Sequence, residues 1–272
     1  MPTSDSRSPG LPTVSWDPGQ YLRFAGPRLQ PPLDLLGRLS GLEPRRIWDL
    51  GCGTGDMTRL LARRWPQAEV VGIDQSSEML AKAAATAGEV RWLEADIATW
   101  SPPQPADLLF SNATLHWLPD HGALLPRLLG SLAPGGVLAV QMPLSWDQPS
   151  HLLMREVLVG EDGGRPLGTE ALRQSLEQPP VLQAAEYFEL LSPLARQVDV
   201  WETTYLHVLD GDDPVLEWAR GTGLRPILES LEETEQGLFL ERYRAGLHRL
   251  YPERADGGTF YPFHRLFFCA SV

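Results

Sequence analysis

In the first half of the chain, short apolar runs alternate with stretches whose apolar residues recur at helical spacing. Arg46–Leu50 reads as a strand, and after it Met57, Leu60, Leu61 and Trp65 fall on one helical face. Glu69–Asp74 is a second strand, with a helix predicted from Ser76, an N-cap residue type, through Met79, Leu80 and Ala83. Strands are predicted again at 90–93, 107–112 and 136–142, with a helix at 123–132 between the last two. Near-continuous apolar strands separated by helices describe a parallel sheet covered on both faces. Right-handed crossovers make it a doubly wound, Rossmann-like sheet.

The pattern changes after residue 143. Residues 144–194 mix helical stretches with Gly and Pro interruptions, and residues 197–209 form a strand rich in Val, Thr, Trp and Tyr. Residues 213–250 are helical with a break near Gly221-Thr222-Gly223, and 259–270 form a last strand. The expected architecture is a seven-stranded α/β sheet, mostly parallel with its last strand antiparallel, under a helical cap. In domain terms this gives a polar, disordered tail at 1–14, a core at 15–143, and cap helices plus two sheet strands at 144–272.

Composition narrows the possible partners. The net charge is −12, from 35 acidic and 23 basic residues. Nucleic acid demands a basic face, so it is not expected as a substrate. No apolar run reaches the roughly 18 residues needed to cross a bilayer. The two cysteines, Cys52 and Cys269, are too few for a disulfide framework or a four-ligand zinc site. A cytoplasmic monomer without metal is expected.

The candidate chemistry begins where the first strand ends, at Asp49-Leu50-Gly51-Cys52-Gly53-Thr54-Gly55-Asp56, directly before a helix. Glycines there allow a tight turn and close approach of a ligand, and the helix start offers free N–H groups. The dinucleotide fingerprint needs its third glycine at position 56, where Asp56 stands, and the Gly-Lys-Ser/Thr of a P-loop is absent. Asp74 ends the second strand, where a carboxylate can accept both hydroxyls of a ribose. Asp96 follows the third strand, placed to accept from an adenine amino group while Ile97 offers its N–H. The loop and both acids fall at the carboxyl ends of consecutive strands, where open α/β sheets bind ligands.

Together, Asp49-x-Gly51-x-Gly53-x-Gly55, Asp74 and Ala95-Asp96-Ile97 resemble the class I S-adenosylmethionine-dependent methyltransferases over about residues 48–142. The resemblance implies S-adenosyl-L-methionine as cofactor, its amino-acid part on the loop, its ribose at Asp74 and its adenine at Asp96. It also implies a cofactor set of Asp49, Gly51, Cys52, Gly53, Asp74, Gln75, Met79, Asp96, Ile97 and Asn112, with Met79 against the adenine ring. DNA amino-methylating enzymes carry Asp/Asn-Pro-Pro-Tyr after the fourth strand, whereas this chain has Asn112-Ala113-Thr114-Leu115. Neither cysteine is placed for cytosine-C5 chemistry.

A closer resemblance spans nearly the whole chain. Trp16-Asp17-Pro18-x-x-Tyr21-Leu22-x-Phe24, the run from Ser111 through His116-Trp117 to His121, and Ala139-Val140-Gln141-Met142-Pro143 are similar to the trans-aconitate 2-methyltransferases. So are Leu153-Met154-Arg155-Glu156-Val157, Trp201-x-Thr203-Thr204-Tyr205 and Trp218-x-x-x-Thr222-Gly223-Leu224-Arg225-Pro226. The segment 159–168 is shorter than that pattern, and the end after Phe268 departs from it. The family implies monomethyl esterification of a small anionic carboxylic acid. A carboxylate is ionised at neutral pH, so no general base is required and no catalytic residue is assigned, although His116 is available. Arg155 and Arg225 are the leading partners for the further carboxylates, because a planar guanidinium suits a carboxylate. Tyr21, His116, Trp117, Gln141, Trp146 and Tyr205 are expected to line the pocket. The alternatives are another small carboxylate, an amine, or a phenol with His116 as base; a non-catalytic S-adenosylmethionine-binding module is the other class.

Overall fold

The computed structural model describes residues 29–272 apart from Ala87, Glu89, Asp162 and Thr222. The expected tail and the Tyr21 position therefore lie outside the described residues. The first described element is a helix, α1 (Gln30–Arg38), which the sequence reading lacks. Pro31 and Pro32 occupy its first turn, where a missing N–H costs nothing, and they are buried together with Leu33, Leu35 and Leu36.

The alternating units follow as β1 (Arg46–Leu50), α2 (Asp56–Arg64), β2 (Glu69–Asp74), α3 (Ser77–Ala85), β3 (Arg91–Glu94), β4 (Ala106–Asn112), α4 (His121–Leu129) and β5 (Leu132–Pro143). Ser76 caps α3 by accepting the Met79 N–H, as its residue type predicts. The second half holds α5 (Pro149–Val159), α6 (Glu170–Ser175), α7 (Ala184–Leu191), β6 (Gln197–Leu209), α8 (Pro214–Arg220), α9 (Leu224–Ser230), α10 (Glu233–Leu250) and β7 (Thr259–Ser271).

One sheet carries the fold, in the order β3-β2-β1-β4-β5-β7-β6. The pairs among β1 to β5 are parallel, and β7 runs antiparallel to both β5 and β6. Strand alternation sends successive side chains to opposite faces. On one face Leu109, Val140 and Phe268 pack with Leu125 of α4 and Tyr187 of α7. On the other, Phe110, Ala139 and Phe267 pack under Leu36 of α1 and Leu61 of α2.

A third core belongs to the helical cap. β7 pairs with β5 only from Ser271 to Arg265, but with β6 along its whole length to Thr259. The hairpin therefore projects beyond the sheet, and Leu209, Tyr261 and Phe263 on this projection pack against α5, α8, α9 and α10 through Leu153, Leu216, Ile227 and Tyr243. α7 does not join that group. It covers the sheet, with the Tyr187 hydroxyl 2.5 Å from His121 Nδ1 and its ring 5.3 Å from that of Phe268, so one expected cap helix belongs to the sheet layer. Among the described residues no helix is long and apolar enough to cross a membrane.

Candidate active site

The glycine loop is shaped by three left-handed residues, Gly51 (φ 75°), Gly53 (φ 53°) and Gly55 (φ 79°). Two are glycine because protein fills the place of a side chain. A Cβ on Gly51 would lie 2.1 Å from Thr114, and one on Gly55 would lie 2.2 Å from the Trp92 ring. At Gly53 a Cβ would meet nothing within 4 Å, so this position faces open space. That opening lets a ligand approach the backbone, which is what the expected cofactor requires of the loop.

Asp74 anchors the loop from β2. One carboxylate oxygen accepts the Gly53 N–H and the other the Ser76 N–H, each at 2.9 Å. Two backbone donors leave further lone pairs on the same oxygens for a hydroxylated ligand. Asp49 is 2% exposed and accepts from Thr58 Oγ1 at 2.6 Å. Burial pushes its carboxyl up to about 7, against the Thr58 hydrogen bond and with the help of the Asp74 charge. Asp96 is exposed and holds the Ala98 N–H at 2.9 Å, while Ile97 is buried and its carbonyl accepts from Arg127 at 2.7 Å. Gln75 is exposed and Met79 half-buried on α3. Cys52 is buried, and burial raises its thiol pKa far above its ordinary value. It is thus a packing residue rather than a nucleophile.

The state of Asp49 has a measurable consequence. Its folded-state pKa is raised above the unfolded value, so between about pH 4 and 7 the unfolded chain ionises it while the folded chain keeps the proton. Stability contributed by this group is thus full below pH 4 and falls as pH rises toward 7. Asp49→Asn is expected to remove that loss. The variant should gain about 2–4 kcal/mol over the parent at pH 8 and little at pH 4.5 in urea unfolding. An equal difference at both pH values would show that Asp49 is not held protonated by the fold.

Beyond the loop, β4 ends at Asn112 and the chain turns sharply at Ala113, whose φ of 52° is unusual for a residue with a side chain. The turn sends a short 3₁₀ segment, Leu115–Trp117, past the strand ends. Thr114 ties the segment to the loop by donating to Gly51 O at 3.1 Å. His116 lies against the Trp117 ring at 4.6 Å, and Trp117 is 57% exposed. Burial, then the charge of Arg265, holds the His116 imidazole down to about 3.

Around this point polar side-chain atoms are buried without hydrogen-bond partners among the described residues. They are Asn112 Oδ1, His116 Nδ1, both ends of the Gln141 amide, and Ser145 Oγ. Such atoms cost free energy unless a ligand or water satisfies them. Arg265 on β7, 7% exposed, stands next to them, with its guanidinium 4.1 Å over the Phe263 ring. Asn112 and Gln141 were expected at the site and are brought together by β4–β5 pairing; Ser145 and Arg265 were not. A charged residue inside an otherwise apolar strand was the signal for Arg265.

The other expected acceptor residues are spread more widely. The Tyr205 hydroxyl donates to Asp34 of α1 at 2.6 Å. Trp146 is half-buried beneath Arg155, whose guanidinium lies 4.2 Å over its ring and donates to its carbonyl at 2.9 Å. That pair faces a groove of about 390 Å³ lined also by Glu156, Glu161, Arg173 and Glu177, a mixed-charge setting. Arg225 on α9 has a 74% exposed side chain paired with Glu229 at 2.8 Å, and its charge reaches Glu78 of α3. The structure thus does not bring Arg225 into the buried polar cluster. His151 and His207 pack inside the cap region, the latter on Trp218 at 5.0 Å.

Comparison with known proteins agrees with this geometry. Residues 47–136 match the family model described as a methyltransferase domain. The chain is 48% identical over 260 residues to the trans-aconitate 2-methyltransferase of Azoarcus sp. (strain BH72), covering 96% of this chain and 99% of the relative. It is also 48% identical to that of Pseudomonas aeruginosa (strain UCBPP-PA14), covering 94% of each. Among solved structures, the Haemonchus contortus phosphoethanolamine N-methyltransferase 2 in complex with S-adenosyl-L-methionine superposes with a TM-score of 0.51 at 18% identity. The match covers 88% of this chain and 51% of that one, and it shows the shared fold. With near-half identity sustained through sheet and cap alike, the chain belongs to the trans-aconitate 2-methyltransferase family.

Proposed function

We propose that this protein methylates a carboxylate of trans-aconitate, giving its monomethyl ester. S-adenosylmethionine supplies the methyl group when bound. The observation that carries the reading is the cluster of buried polar atoms on Asn112, His116, Gln141 and Ser145 that lack hydrogen-bond partners among the described residues. Asp49, Gly51, Cys52, Gly53, Asp74, Gln75, Met79, Asp96, Ile97 and Asn112 hold the cofactor in this reading. His116, Trp117, Gln141, Trp146 and Tyr205 line the acceptor pocket. Arg155 shapes its wall through Trp146, and Arg225, exposed and ion-paired, acts at its entrance.

The acceptor is its own nucleophile, since a carboxylate is ionised at neutral pH. The protein therefore contributes position and exclusion of water rather than proton transfer. His116, held down to about 3, is neutral at pH 7 and a poor base, though its ring can donate one hydrogen bond to an anion. This favours a carboxylate over a phenol as acceptor. At saturating cofactor, kcat should be nearly flat from pH 6 to 8.5. A rise of about tenfold per unit through the histidine range would instead indicate base catalysis. Release of S-adenosylhomocysteine should depend on added acid; tight cofactor binding with no turnover on any acid would mark a non-catalytic module. The same reading has the enzyme acting as a monomer in the cytoplasm, with its two cysteines as free thiols.

A further inference from the structure

The acceptor of this reading is a trianion, and a water-excluding pocket must offset its charge at the carboxylates that do not react. The residues expected for that task are already engaged elsewhere, Arg225 being exposed and paired with Glu229 and Arg155 stacked over Trp146 and donating to its carbonyl. Arg265 is instead buried.

Its position follows from the register of the sheet. Arg265 lies opposite Pro143 of β5 and Thr203 of β6, at the last β5–β7 pair before the hairpin leaves the sheet. On its face of β7, Phe267 on one side belongs to the core beneath α1 and α2, and Phe263 on the other belongs to the core of the cap. A buried cation thus sits where the two apolar cores meet, at the carboxyl end of β5. Its charge is felt by His116 beyond the end of β4, by Tyr205 and His207 on β6, and by Tyr261 on β7 itself. Gln141, one strand step away on the same face, has both ends of its buried amide unsatisfied among the described residues.

We infer that Arg265 is the carboxylate-binding cation of the acceptor pocket, holding a carboxylate that is not methylated, with Gln141 beside it as donor. The inference rests on the proposed function and names a specificity-determining residue for it. It does not require Arg265 to lack protein partners. A guanidinium has five N–H donors in a planar fork, enough to serve a neighbour and still take a carboxylate in bidentate fashion. Its guanidinium carbon lies 4.1 Å over the Phe263 ring, a contact that helps hold the fork in place.

The test is a binding measurement, independent of turnover. Trans-aconitate is titrated calorimetrically into protein saturated with S-adenosylhomocysteine, for the parent, Arg265→Lys and Arg265→Met. Lysine keeps the charge and loses the fork, so Arg265→Lys should weaken trans-aconitate binding by about 20-fold or more, with S-adenosylhomocysteine affinity changed less than about twofold. Arg265→Met should abolish measurable binding of the acid; if that variant does not fold, Arg265→Lys decides alone. Parental trans-aconitate affinity in Arg265→Lys would overturn the assignment and leave the proposed function standing. Parallel loss of both ligands would also overturn it, by showing a structural role. A parent that binds S-adenosylhomocysteine but no trans-aconitate would instead overturn the acceptor reading, and this inference with it.

Discussion

Gly51→Ala is expected to destabilise the protein by about 2–5 kcal/mol, and Gly53→Ala by only about 1–2 kcal/mol, although the two glycines share one loop. Both hold a positive φ, which costs a residue with a Cβ roughly 1–2 kcal/mol. Gly51 adds a steric term, because its new Cβ would fall 2.1–2.6 Å from three atoms of Thr114, a short β-branched side chain that cannot swing away. Overpacking of that kind adds about 1–3 kcal/mol. Thr114 also holds Gly51 O and begins the segment that carries His116, so the displacement should reach the acceptor pocket. Gly53 has no such neighbour, and its substitution should act instead on the ligand that approaches there. Urea unfolding and cofactor calorimetry on the two variants separate these effects. Parental cofactor affinity in Gly53→Ala would mean that no ligand passes over that position.

Asp74→Ala should weaken S-adenosylmethionine binding by about 1–3 kcal/mol, roughly 5- to 150-fold, on the scale of a lost charge-assisted hydrogen bond. The effect has two sources. Free lone pairs on the carboxylate are the expected partners of the ribose, and its two occupied ones hold the loop in place through Gly53 and Ser76. Asp74→Asn keeps one acceptor oxygen and puts a donor in place of the other, so it should fall between alanine and the parent. Calorimetry showing parental affinity in Asp74→Ala would remove Asp74 from the cofactor site.

The centre of the sheet was legible because β1, β2, β4 and β5 carry apolar runs bounded by turns. β1 and β2 begin and end where the pattern places them, and so does β6, whose richness in Val, Thr, Trp and Tyr marks a strand. β5 starts earlier than expected, since Leu132 pairs with Ala106 across an irregular register that the turn-like Pro134-Gly135 conceals. α1 was missed: two prolines at its start resemble a loop until the leucines behind them are counted. α7 was assigned to the cap because sequence position cannot tell which core a short amphipathic helix will join. The proposed cofactor residues could be named together because most of them fall at the ends of adjacent strands. The proposed acceptor residues come from the segment after β4, from β5 and the chain just beyond it, and from β6, far apart in sequence, and the charge that Arg265 places inside an apolar strand gains weight only once its burial is known.

The most direct test is transfer of labelled methyl from S-adenosylmethionine to trans-aconitate, with cis-aconitate, citrate and isocitrate alongside. Strong preference for trans-aconitate, with the label in an alkali-labile ester, is the predicted result. Binding of the cofactor without transfer to any of the four acids would contradict it.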